Sequence, residues 1–198
     1  FAGFALSAAL HSFAYAFELT STTVEMAFMF TKIEYLGIAF QSFFAILTTA
    51  ELTGNVRKLD KRIKWGMLIF SSATVLAVYT NNLHHLYYAK DLVLDKVGVL
   101  TLVRVTPGIW YKVFVTYVNL AIAAGAVMMA RAIKNAPSDL KPQFRIFLLG
   151  FLAPCAGSLI YLFGLSPFDL DPTPYCLMIT SVLFAYGLNH HQLFHIVP

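Results

Sequence analysis

The sequence predicts an all-α fold, a polytopic membrane helix bundle in which six helices are present. Three observations lead there. Of the 198 residues, 59% are hydrophobic and 12% charged, whereas a soluble domain carries about 25% charged residues. The apolar residues form continuous runs rather than an alternation, and a helical crossing of a bilayer needs roughly 20 of them. Inside lipid every backbone amide must be paired within the protein, which leaves helices or a closed barrel. Unbroken apolar runs point to helices.

The spans follow in order, labelled A to F. Helix A covers about Phe1 to Leu19 and helix B about Thr23 to Thr53, long enough to tilt in or project from the bilayer. Helix C runs from about Arg62 to Tyr88. Helix D runs from about Pro107 to Ile133, with Pro107 suited to a first helical turn. Helix E spans about Leu140 to Leu165 and helix F about Pro174 to Gln192. The B–C and D–E connections are short, as between antiparallel neighbours. The C–D connection is the long one. In it Leu92–Leu94 and Leu100–Val103 flank Asp95-Lys96-Val97-Gly98, a hairpin pattern expected to lie over the outer mouth of the bundle. Apolar sequence begins at once, with no basic n-region or small-residue cleavage site, so no signal peptide is expected. Cys155 and Cys176 lie in apolar runs without metal spacing and are read as small core residues.

Basic residues orient the bundle. The B–C connection holds Arg57, Lys58, Lys61, Arg62 and Lys64, and the D–E connection holds Arg131, Lys134, Lys141 and Arg145. The other side has only Lys90, Lys96 and Arg104. Nine against three places the B–C and D–E loops in the cytoplasm. Helix A then starts inside, and helix F ends inside.

Several segments carry a family resemblance. They are Lys32-Ile33-Glu34-Tyr35-Leu36-Gly37, Ala50-Glu51-Leu52-Thr53-Gly54 and Thr80-Asn81-Asn82-Leu83-His84-His85-Leu86-Tyr87-Tyr88. Gly108-Ile109-Trp110, Tyr117, Gln143 and Gly150-Phe151-Leu152-Ala153-Pro154 follow. Asp169-Leu170-Asp171-Pro172-Thr173-Pro174 and the closing Leu193-Phe194-His195-Ile196-Val197-Pro198 complete the set. In this order and spacing, over nearly the whole chain, they resemble the N-terminal seven-transmembrane region of bacterial sensor histidine kinases. The resemblance implies a single transmembrane sensor domain over residues 1–198. It implies a first helix before Phe1 and a cytoplasmic output domain, a histidine kinase or sometimes a cyclic-dinucleotide synthase, after Pro198. Members often carry a proline shortly after Tyr-Leu-Gly where this chain has Gln41, which leaves the bend of helix B open.

Ionisable groups within a bilayer are costly and draw attention first. Lys32 and Glu34 lie about 13 to 17 Å along helix B and point to different sides of it. His11, Tyr117 and Asn119 sit at comparable depth. An internal polar network that locks helix packing and a ligand role for Glu34 are weighed equally; for His11 the packing role comes first. Asn81, Asn82, His84 and His85 are expected on one helical turn at the outer end of helix C. Their carboxamides and imidazoles both donate and accept, which suits a small polar ligand, while a hydrated helix end is the alternative. The family resemblance tips Asn82 and His85 towards a pocket. Trp110 and Tyr111 start helix D, where interfacial anchoring competes. The expected ligand-binding set is therefore Glu34, Asn81, Asn82, His85, Trp110 and Tyr117. Asp169 and Asp171 are read as caps of helix F, and His190, His191 and His195 as a polar membrane exit.

The function expected is that of a receptor module. It detects a small molecule or lipid-derived signal among membrane lipids and passes it to an output domain in the same chain, with no catalysis, cofactor or nucleic acid in this segment. Homodimerisation through the full-length protein is compatible with this. Two other classes compete. A metal-dependent membrane hydrolase would use His84, His85, Asp169 and Asp171; a small transporter would show repeated halves and broken helices, and neither is visible. A retinal receptor needs a lysine in the last helix, and helix F has none.

Overall fold

The computed structural model describes residues 1–57, 59–97, 100–138, 140–167 and 170–191. Six long helices, one short helix and one hairpin make up these residues: α1 (Ala2–Leu19), α2 (Val24–Leu52), α3 (Lys61–Tyr79), α4 (Asn81–His84), β1 (Val93–Val97), β2 (Leu100–Arg104), α5 (Ile109–Asn135), α6 (Lys141–Leu162) and α7 (Thr173–His191). Helices α2, α5 and α6 are each long and apolar enough to cross a membrane. Helices α1, α3 and α7 have 18 or 19 residues, about 27–29 Å of helix against roughly 30 Å of hydrocarbon. Large apolar side chains such as Ile69, Leu76, Leu120, Leu149, Met178 and Val182 point outward, exposed, as a lipid-facing surface requires.

Local chemistry sets the helix ends. Thr23 caps α2 by accepting from Met26 N at 3.2 Å, and Asp60 caps α3 by accepting from Arg62 N at 2.8 Å. Helices α2 and α6 close identically. Gly54 and Gly164 take positive φ, and the following residues reach back, Asn55 N to Ala50 O at 2.7 Å and Leu165 N to Ile160 O at 2.9 Å. This is the Schellman arrangement, which satisfies orphan carbonyls where a Cβ would be strained.

The third expected span is corrected by the structure. It stops at Tyr79, nine residues short of Tyr88. Asn81 is the reason. Its Oδ1 accepts from Tyr87 N at 3.0 Å and Tyr88 N at 2.9 Å, and its Nδ2 donates to Tyr88 O at 3.1 Å. A side chain that binds backbone this way competes with helix, and the chain doubles back through His85 in the left-handed region, φ 50°. The returning strand pairs with the start of α5: Ala89 N donates to Thr106 O, Gly108 N to Tyr87 O at 2.7 Å and Trp110 N to Leu86 O. A Cβ at Gly108 would sit 2.2 Å from Leu86 O, so this closure needs glycine. The expected hairpin is present, with register from Val93↔Arg104 to Val97↔Leu100 and an Asp95–Arg104 ion pair. It packs through Leu102 and Leu100 on Tyr15, Leu19 and Leu170.

Two apolar clusters hold the bundle. Phe4, Ala45, Met129, Phe147, Leu177 and Phe184 join α1, α2, α5, α6 and α7. Tyr35, Val78, Tyr87, Tyr88 and Phe114 join α2, α3 and α5 beneath the hairpin. Between α1 and α2 the backbones nearly touch, since a Cβ on Gly37 would lie 2.3 Å from Ser7 O, the close approach that small residues permit in membrane bundles. Helix α2 continues unbroken past Gln41.

Candidate functional site

The close α1–α2 seam places α1 side chains one helical face apart against α2. His11 and Glu18, seven residues apart, face Thr31, Glu34 and Gln41 around one cavity. His11 Nε2 lies 3.2 Å from Glu34 Oε1. The Thr31 hydroxyl donates to Glu18 Oε2 at 2.6 Å, with Ala27 O at 3.0 Å as its other acceptor. Glu18 from α1 and Glu34 from α2 thus bring two carboxyls to the wall of one cavity. His11, Glu18 and Glu34 are 2%, 8% and 6% exposed. The His11 ring and the Gln41 carboxamide are neighbours in this buried wall.

The cavity occupies about 210 Å³, many times the roughly 10–15 Å³ that one water needs. Its apolar walls come from Ile38, Phe114, Val118, Ile122 and Phe151, and Val103 and Val105 approach it from the hairpin side. Tyrosines line one part of the wall. Tyr87 meets Tyr35 edge-on at 5.0 Å, Tyr88 at 5.0 Å and Tyr111 at 5.5 Å. Burial, the largest cause, holds the Tyr87 and Tyr88 hydroxyls well above the ordinary phenol range, so both are neutral. Asp171 reaches the same cavity from the α6–α7 connection. Its N–H donates to Tyr15 Oη at 2.8 Å, and its Oδ1 accepts from Thr173 N at 2.8 Å, capping α7. This connection ties α1 to the start of α7 across the cavity.

The six residues singled out in the sequence are not gathered in one place. Glu34 lines the cavity. Asn81 is 4% exposed, and its carboxamide is taken up by the Tyr87–Tyr88 backbone. Asn82 and His85 are exposed and do not share the helical turn expected of them, because His85 lies beyond α4 in the left-handed turn. Trp110 stacks on Phe70 at 5.6 Å and donates from Nε1 to Thr74 Oγ1 at 3.1 Å. Tyr117 also packs on Phe70, at 4.5 Å, with its hydroxyl beside Ser71. Both belong to the α3–α5 seam. The predicted lysine in α2, Lys32, lies over the Phe28 ring at 4.4 Å.

Sequence reading passed over Glu18, Tyr15 and Gln41 as site residues. Glu18 had a legible signal, an acid near the end of an apolar span and one heptad from His11. Tyr15 and Gln41 had none, since only packing shows which face of a helix meets a cavity. Asp171 caps as expected, whereas Asp169 and His195 lie outside the described residues. No group of three or more His, Cys, Asp or Glu side chains among the described residues is arranged to hold a metal.

Over residues 1–198 the chain matches the family described as the N-terminal 7TM region of histidine kinase. Neither the curated proteins nor the solved structures contain a match.

Proposed function

We propose, from the premise that this chain belongs to the family of N-terminal 7TM regions of histidine kinases, that its central cavity is where a small ligand is detected. That region is a sensory, non-catalytic part of a membrane protein. The observation that carries the reading is a ligand-sized cavity whose wall contains His11, Glu18 and Glu34, with His11 Nε2 3.2 Å from Glu34 Oε1. Apolar walls with a few converging polar groups are the usual composition of a ligand site. Occupancy reaches α7 through Tyr15 and Asp171, which join α1 to the start of that helix. A ligand that favours one of two packings there shifts the population seen by the cytoplasmic output domain. The basic α2–α3 and α5–α6 ends face the cytoplasm, and α7 runs towards that side.

The test is autophosphorylation of the full-length protein in lipid vesicles. Ala121 lines the cavity on α5 and is 8% exposed, so Ala121→Phe fills it. Leu120, its neighbour, is 66% exposed to the outside. Ala121→Phe and Glu34→Gln are expected to change the output several-fold in either direction, while Leu120→Phe leaves it unchanged. Equal output from all three variants and the parent, with all folded, removes the cavity from signalling.

A further inference from the structure

The charge balance of this cavity is one-sided. Glu18, Glu34 and Asp171 face it, and among the described residues no lysine or arginine lines it. Lys32, on the same helix as Glu34, instead lies on the rings of Phe28 and Tyr79. His11 is the one basic ring among the described lining residues, with Nε2 3.2 Å from Glu34 Oε1. Buried acids in such a setting require a proton or a cation as partner. A metal ion is a poor fit, since the described carboxylates and imidazole do not converge as a ligand set. An anion would meet like charge. The Tyr35, Tyr87 and Tyr111 rings in its wall add faces of the kind that attract a cation within about 6 Å.

Resting on the reading of this cavity as a ligand site, we propose that it takes a small amphiphile bearing one protonated amine. The ammonium group sits between Glu18 and Glu34, as the cation that these two buried acids otherwise lack. A proton held by either carboxyl leaves to solvent as the ammonium binds. The apolar part lies between Ile38, Phe114 and Phe151. A three-donor ammonium matches acceptors on two helices at once, so binding draws α1 and α2 together at the level of Glu34.

The proposal is tested with n-hexylamine, hexanol and hexanoate, three probes of equal chain length and different charge. Binding is measured by calorimetry and by thermal unfolding of the purified protein in lipid nanodiscs. Hexylamine is expected to bind saturably and raise Tm, with hexanol and hexanoate at least tenfold weaker. Glu18→Gln and Glu34→Gln, which keep side-chain volume, should each weaken hexylamine at least tenfold while the unliganded proteins still unfold cooperatively. Ala121→Phe should remove the saturable component, which separates cavity binding from partition into lipid. Hexanol or hexanoate binding as tightly as hexylamine in the parent overturns the amine assignment and leaves the ligand cavity standing. So does undiminished hexylamine binding by both Gln variants. If none of the three probes binds and Ala121→Phe leaves Tm and output unchanged, the ligand cavity itself is overturned, and the amine with it.

Discussion

Asn81 bears structural weight out of proportion to its size. One carboxamide receives two backbone N–H groups and donates to a carbonyl, all buried, and so ends the third helix and seats Tyr87 and Tyr88 over the cavity. Leaving a buried donor unsatisfied costs about 1–3 kcal/mol. Asn81→Ala strands two of them, so a loss of about 2–6 kcal/mol is expected on summing such costs, seen as a lower unfolding midpoint in denaturant or heat. Asn81→Asp keeps the acceptor and should recover part of it. A midpoint equal to the parent for Asn81→Ala contradicts this account. Asn82→Ala, exposed one residue away, is the internal control and should change stability little. The sequence showed that this segment is special. It did not show that Asn81 works on backbone rather than ligand, because its partners lie six and seven residues ahead, across a turn that no helical pattern announces.

At the level of elements, α6 passes through Pro154 without a break. Proline has no N–H to give the carbonyl four residues earlier, here that of Gly150. In lipid such a carbonyl needs another donor, and Thr180 of α7 supplies it: its hydroxyl donates to Gly150 O at 2.7 Å. A missing bond within one helix thus becomes a bond between two, beside the core contact of Gly150 with Phe184. Thr180→Val should lose about 1–3 kcal/mol. In a Pro154→Ala background, where the helix can satisfy its own carbonyl, the same substitution should cost clearly less. The double-mutant cycle, measured by unfolding in detergent, checks this. Additive effects mean that Thr180 is not compensating for the proline.

For the molecule as a whole, two ends of opposite character emerge. Thr53, Asn55 and Leu59 border the same groove as Arg131, Asn135 and Pro137, which puts the two basic connections at one end. The hairpin, the α6–α7 connection and the end of α1 meet at the other. Cysteines introduced by Lys61→Cys and Lys96→Cys, in a Cys155→Ala, Cys176→Ala background, are expected to label from opposite sides of the membrane. Lys96→Cys should react with an impermeant maleimide on intact cells and Lys61→Cys only after permeabilisation. The reverse pattern inverts the orientation and places α7's end outside.

The sequence by itself determined the helical class, the order of six long helices, the hairpin and the separation of charge between two ends. These follow from composition, run length and the need to pair every amide in lipid, all of which act locally or through sums over the chain. The tertiary structure alone decided which polar residues meet. Glu34 was legible as a buried acid, yet its partners His11 and Glu18 come from α1, and Asp171 comes from a connection more than a hundred residues on. Trp110 and Tyr117, similar in character on paper, turn to Thr74 and Phe70 of α3. The physical reason is rotational. Apolar helices with lipid on one side and helices on the other carry weak amphipathic patterns. The face that each turns inward is settled by contacts such as Gly37 against the backbone at Ser7, which exist only once the helices have packed.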